Sequence, residues 1–144
     1  MSDRFNTTRF SPHLTMGRLL YDYSELTLFK SMDALLSPAK KQLRATHDDV
    51  ECRVTPYQKL IHVLKGSKEL HQFQAGLKTM IHGYLPKEEY HISLLYGKID
   101  CNALNSEISD LSKRLPKQVR FSKISVIELN GQPDTWRTIR ELEF

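Results

Sequence analysis

The stretch Tyr90-His91-Ile92-Ser93-Leu94-Leu95-Tyr96-Gly97 predicts a buried strand, because it is rich in apolar and strand-favouring residues and ends in a glycine. Alternate residues of a strand share one face, so His91 and Ser93 would present an imidazole beside a hydroxyl. Both groups are costly to bury unless something binds them. The stretch therefore predicts a core strand that also carries a functional site.

Strand and helix patterns alternate on both sides of this stretch. Strand patterns cover residues 9–17, 50–54 and 60–64 before it, and residues 119–129 and 135–144 after it. Helical patterns begin at Ser24 and Ser67 and again at Leu104. Residues 130–134 favour a hairpin connection between the last two strands. This order predicts an α+β fold with largely antiparallel sheets, formed by one domain over residues 1–144.

The composition narrows the class of ligand and of compartment. A formal net charge of +4 and a pI near 9.1 favour a small anionic ligand over duplex nucleic acid. No apolar run approaches the roughly 20 residues of a membrane span, and residues 1–10 lack the apolar core of a secretory signal. Cys52 and Cys101 are expected to be reduced structural thiols, and a single disulfide between them is the alternative. We therefore expect a soluble intracellular protein of the cytoplasm. A monomer is the default expectation, and peripheral association with an organelle such as the Golgi is the alternative location.

Two of the six histidines precede a serine or threonine by two positions, in His13-Leu14-Thr15 and in His91-Ile92-Ser93, and both lie in strand-like runs. Together they would supply two imidazoles and two hydroxyls, a set that can hold a phosphate without a metal. Hydrolysis of a cyclic phosphodiester needs a base for the water and an acid for the leaving ribose oxygen, and imidazole can do either near neutral pH. Taken alone, the pattern fits two unrelated, half-buried histidines equally well.

Longer stretches around these motifs resemble a known family. Residues 10–15, FSPHLT, resemble the first signature of the two-histidine phosphoesterase superfamily, and residues 91–97, HISLLYG, resemble the second signature of its cyclic phosphodiesterase branch. Residues 126–131 and Trp136 are similar to the ending of that branch, so the resemblance extends from Arg9 onward. It implies a bilobal fold in which antiparallel sheets, flanked by helices, border a central cleft.

The resemblance also implies an activity that needs neither a metal nor a cofactor. Members of the branch open ADP-ribose 1″,2″-cyclic phosphate to the 1″-phosphate, or nucleoside 2′,3′-cyclic phosphates to the 2′-phosphate, chemistry linked to by-products of tRNA splicing. The substrate is thus a small anionic nucleotide. Carried over by motif position, His13 and His91 are the catalytic pair, and Thr15 and Ser93 bind the phosphate. Tyr96 stands where the family has a substrate-contacting aromatic residue, and a core tyrosine is the alternative.

The resemblance is incomplete at the start of the chain. Family members carry a further strand and helix ahead of the first motif, whereas only twelve residues precede His13, so we expect an N-terminally shortened domain. Two alternatives stay open: a non-catalytic relative that binds cyclic or terminal phosphates, and an RNA-end phosphodiesterase of the same superfamily. The tripeptide His47-Asp48-Asp49 suggests a third, a metal-dependent hydrolase, but we expect a solvated loop there.

Overall fold

The structure, a computed structural model, describes residues 12–20, 25–36, 43–54, 58–129 and 136–143. They form a mixed α+β fold with antiparallel sheets, which confirms the predicted class. The described helices are α1 (Glu25–Leu36), α2 (Lys68–Met80) and α3 (Asn105–Arg114), with a 3₁₀ turn at Cys101–Leu104. The described strands are β1 (Gly17–Leu19), β2 (Arg44–Cys52), β3 (Gln58–Gly66), β4 (Tyr84–Pro86), β5 (Tyr90–Tyr96), β6 (Gln118–Arg120), β7 (Lys123–Glu128) and β8 (Arg137–Glu143).

The largest described sheet has the strand order β5-β3-β2-β6 and contains the strand predicted from residues 90–97. β3 and β5 are antiparallel, and Ile61 lies opposite Ser93. A register shift follows, so that Leu60 lies opposite Leu95 and not opposite Leu94. Because neighbouring residues of β3 point to opposite faces, this shift sends Leu95 to the other face of the sheet from Ser93.

The chain divides into two compact units, each built from separate stretches of sequence. Among the described residues, 12–15, 46–54, 58–65 and 89–118 belong to the first unit, and the others belong to the second. The core of the first unit contains Leu60, Leu95 and Leu104, each at most 1% exposed, and Ile108 and Leu111 of α3 pack against them. The face of β5 that carries Leu95 is therefore the face that builds this core.

The second unit contains the helices predicted from Ser24 and Ser67. The Ser67 Oγ accepts a hydrogen bond from the Leu70 backbone N–H at 3.1 Å, as expected of an N-terminal cap, whereas Ser24 lies outside the described residues. The buried apolar residues of the two helices recur at helical spacing: Leu28, Met32, Leu36, Leu70, Phe73 and Leu77. The short antiparallel pair of β1 and β4 was not predicted, because three-residue strands give too little alternation to detect.

The expectation of reduced thiols was wrong, because Cys52 and Cys101 form a disulfide with their Cα atoms 5.8 Å apart. A separation of 49 residues gave no hint of proximity, but Cys52, at the end of β2, packs against the core cluster of the first unit, which includes Leu104 of the 3₁₀ turn that begins at Cys101. Closing a loop of this length stabilises the folded state by about 4 kcal/mol in the chain-entropy account. The cysteines therefore give no support to a reducing compartment.

Two predicted boundaries also differ from the structure. His47-Asp48-Asp49 lies inside β2 and not in a solvated loop. The predicted strand began at Val50, but Ala45 is also buried, and the strand extends back to Arg44. In the described part of the strand predicted over residues 9–17, Leu14 forms an isolated bridge and the regular strand begins at Gly17. The hairpin connection at residues 130–134 lies outside the described residues.

Within the described part of the chain, no helix is both long enough and apolar enough to span a membrane.

Candidate active site

The first unit brings the two histidine motifs side by side. Leu14 forms an antiparallel bridge with Ile92, the central residue of the second motif. Antiparallel pairing continued on either side of this bridge would place His13 opposite Ser93 and Thr15 opposite His91. These four residues alternate with Leu14 and Ile92, so in extended segments they share one face, which we call the motif face.

The motif face is polar, and β3 borders it with apolar residues. Val63 lies opposite His91 and Ile61 lies opposite Ser93, and both are buried. The imidazole of His91 is 8% exposed, whereas Thr15 on the other side of it is exposed and His13 and Ser93 are half-buried. On the motif face, the ring of His91 is therefore shielded from solvent, whereas the side chain of Thr15 is exposed.

His91 also contacts a carboxylate that the sequence did not suggest as a site residue. Its Nδ1 lies 3.1 Å from Oε1 of Glu89, two residues before it. The other carboxylate oxygen of Glu89 accepts a hydrogen bond from Nη2 of Arg53 at 2.7 Å, and Arg53 donates in turn to Glu51. We call Glu51, Arg53 and Glu89 the ion-pair chain. The spacing Glu-x-His could have predicted the contact between Glu89 and His91, because residues two apart in an extended segment lie on the same side.

The charges of Glu51, Arg53 and Glu89 in the ion-pair chain stabilise one another. Burial would raise the pKa of the Glu89 carboxyl, but the hydrogen bond and charge of Arg53, followed by the interaction with His91, outweigh it, so the pKa lies below its ordinary value. The hydrogen bonds from Arg53 to Glu89 and then to Glu51 raise the pKa of the guanidinium. Glu89 is therefore a carboxylate, and so a hydrogen-bond acceptor, when it meets the His91 ring at neutral pH.

Strand pairing does not place Tyr96 on the motif face with the four motif residues. It is half-buried at the end of β5, where it pairs with Gln58 beyond both register shifts of β3 and β5. Alternation from Ser93 therefore does not carry the motif face as far as Tyr96. The role of Tyr96 as a substrate-contacting residue remains a prediction.

His47, which suggested a metal site, has another histidine as its partner. Its Nδ1 lies 2.8 Å from Nε2 of His62, and their ring centroids are 4.9 Å apart. His62 is 2% exposed and pairs with Ile92, so it lies on the opposite side of the sheet from the motif face. Among the described residues, no three His, Cys, Asp or Glu side chains form a group that could hold a metal ion. The two rings form a separate hydrogen-bonded pair.

This pair makes stability depend on pH. Burial, and then the charge of His47, lower the pKa of His62 below its ordinary value of 6.5. The unfolded chain therefore binds this proton more readily, so the stabilisation present above pH 6.5 is lost as the pH falls below it. We expect the free energy of unfolding in urea to fall between about pH 7 and pH 5, and to fall less in His62→Gln.

An exposed histidine provides the control for this experiment. His71 lies on the exposed side of α2, so His71→Gln is the matched control for the loss of one histidine. Equal pH dependence in His62→Gln and the wild-type protein would contradict the role given to the buried ring.

No protein-family model matches the chain, and no curated protein matches it. The fold and the site alone define the class: a mixed α+β protein with antiparallel sheets and two His-x-Thr/Ser motifs on adjacent segments.

Proposed function

We propose that this protein hydrolyses small cyclic phosphodiesters without a metal. The substrates are nucleoside 2′,3′-cyclic phosphates, opened to 2′-phosphates, or ADP-ribose 1″,2″-cyclic phosphate, opened to the 1″-phosphate. One observation carries the proposal: the bridge between Leu14 and Ile92 aligns the two histidine motifs on one face. The resemblance of both motifs to the signatures of two-histidine phosphoesterases supports it.

The motif face has its two imidazoles at opposite corners. With the motifs joined by the bridge between Leu14 and Ile92, each histidine would lie opposite a hydroxyl residue of the other motif, and His13 and His91 would lie on a diagonal. Cβ atoms on such a diagonal are about 7 Å apart. A phosphate bound at the centre would then have an imidazole on each of two opposite sides. In-line displacement at phosphorus needs the attacking and leaving oxygens on opposite sides, which suits this arrangement.

Each motif residue has a defined step in the reaction. One imidazole takes a proton from water as the water oxygen bonds to phosphorus, and the other gives a proton to the ribose oxygen as its bond to phosphorus breaks. By analogy with the family, His91 is the base and His13 is the acid. Thr15 and Ser93 donate hydrogen bonds to the non-bridging oxygens, where the charge of the transition state lies. The product retains its phosphate on the other ribose oxygen.

Phosphorus NMR of the full chain, in excess EDTA, tests the proposal. The substrates are 2′,3′-cyclic AMP and ADP-ribose 1″,2″-cyclic phosphate, and we expect the cyclic resonance of at least one to give way to that of a phosphomonoester. Line broadening without turnover would favour the non-catalytic phosphate-binding alternative. Turnover confined to an oligonucleotide with a 2′,3′-cyclic end would favour the RNA-end alternative.

Ser93→Ala isolates the contribution of one phosphate-binding hydroxyl. The substitution removes a donor whose hydrogen bond is stronger in the transition state, so we expect kcat to fall about a hundredfold while KM changes little. Steady-state assays of the cyclic phosphate measure both constants. Ser112→Ala, on the exposed side of α3, is the matched control and should keep the wild-type kcat. An unchanged kcat in Ser93→Ala would contradict the role.

A further inference from the structure

The ion-pair chain ends on the imidazole that the proposed reaction uses. Glu89 makes two contacts with its two carboxylate oxygens, one to His91 Nδ1 at 3.1 Å and one to Arg53 Nη2 at 2.7 Å. Arg53 also contacts Glu51, because its Nε and Nη2 both lie within 3.1 Å of Glu51 Oε2. The carboxylate that contacts the imidazole is therefore oriented by a guanidinium that has a second carboxylate partner.

We propose that Glu89, held by Arg53, is a positioning residue that sets the tautomer and orientation of the His91 ring. The catalytic consequence of this inference rests on the proposed function. A carboxylate accepts hydrogen bonds and does not donate them, so the Nδ1 of a neutral His91 ring must carry the proton. The Nε2 of that ring is then the basic nitrogen, as a residue that takes a proton from water requires.

Of the described residues named here around His91, Glu89 is the one placed to orient the imidazole ring. Within the first unit, β3 places the apolar Val63 opposite His91. On the other side of β5, Leu14 bridges to Ile92, which brings the neutral Thr15 next in sequence toward His91. His13 lies one pair further along the motif face, and Arg53 reaches the ring through Glu89. The low pKa of the Glu89 carboxyl keeps it charged throughout the range in which an imidazole titrates.

Glu89→Gln, Glu89→Asp and Glu88→Gln form a matched set for the test. Glu89→Gln removes the charge and introduces a group that can donate as well as accept, whereas Glu89→Asp keeps the charge on a shorter side chain. Glu88 is an exposed neighbour, and its replacement removes the same charge beside the site. Nitrogen-15 NMR of histidine-labelled protein reports the tautomer and the titration midpoint of His91, assigned by the loss of its signals in His91→Gln. Turnover of the cyclic phosphate across pH gives kcat/KM in parallel.

We expect His91 in the wild-type protein to be protonated at Nδ1 when neutral, and Glu89→Gln to mix the tautomers and move the midpoint to lower pH. The value of kcat/KM should fall about 10- to 100-fold in Glu89→Gln, the size of effect known for carboxylates that orient metal-bound histidines. Glu89→Asp should recover most of the tautomer signature, and Glu88→Gln should match the wild-type protein in every measurement.

The NMR result separates this inference from the proposed function. A His91 tautomer and midpoint that are the same in Glu89→Gln, Glu88→Gln and wild-type protein would overturn the positioning role, whatever the activity. The expected tautomer change in a protein that turns over no cyclic phosphate would support the positioning role and overturn the hydrolysis. A fall in kcat/KM without any tautomer or midpoint change would also count against Glu89 as a positioning residue.

Discussion

His91→Ala is expected to lower kcat for the cyclic phosphate about 10³-fold, because the reaction then loses one of its two proton-transfer groups. The remaining activity would come from the hydroxyls and from His13, which still contact the phosphate in the proposed complex. Single-turnover assays in EDTA measure the chemical step directly. They separate it from any slower release of product.

Because His91 is buried, the alanine variant needs two controls. His91→Gln fills more of the space and can still hydrogen-bond to Glu89, but it does not titrate, so its activity should be as low as that of His91→Ala. His71→Ala removes an imidazole from the exposed side of α2 and should keep full activity. Full activity in His91→Gln would show that a titrating group at this position is unnecessary, and the two-histidine mechanism would then be wrong.

Leu95→Ala is expected to lower the free energy of unfolding by about 2–5 kcal/mol. Leu95 is 1% exposed and packs with Leu60 and Leu104, so the truncation leaves a cavity in the core of the first unit. Urea unfolding should show a lower midpoint with little change in the dependence on urea concentration. Leu129→Ala is the matched control, because Leu129 is 66% exposed and its truncation leaves no cavity.

The same variant tests the register shift in β5. Uninterrupted alternation would place Leu95 on the motif face beside Ser93, and its truncation would then change the site more than the core. With the shift, folded Leu95→Ala should keep a kcat within a few-fold of the wild-type value while losing stability. A large loss of kcat at unchanged stability would contradict the observed pairing of Leu95 with Leu60.

Local patterns predicted the elements that contain enough residues to repeat a period. The helices after Ser24 and Ser67 and the strand over residues 90–97 were confirmed, because each carries several apolar residues at the spacing of one face. The three-residue strands β1 and β4 are too short for such a signal. The first part of β2, around His47, was missed for a different reason: His47 and Asp48 have their side-chain partners on β3, and local alternation does not reveal such contacts.

The sequence by itself determined the α+β class and singled out His13, Thr15, His91 and Ser93, because residue type and local period depend only on near neighbours. The tertiary structure decided which of these residues meet. The bridge between Leu14 and Ile92 aligns the two motifs, and the register shift at Leu60 separates Leu95 from them. The tertiary structure also determined that Cys52 bonds to Cys101 and that Glu89 contacts His91. The physical reason is that register, disulfide pairing and ion pairs are set by distances in space between residues, which the order of residues along one chain does not fix.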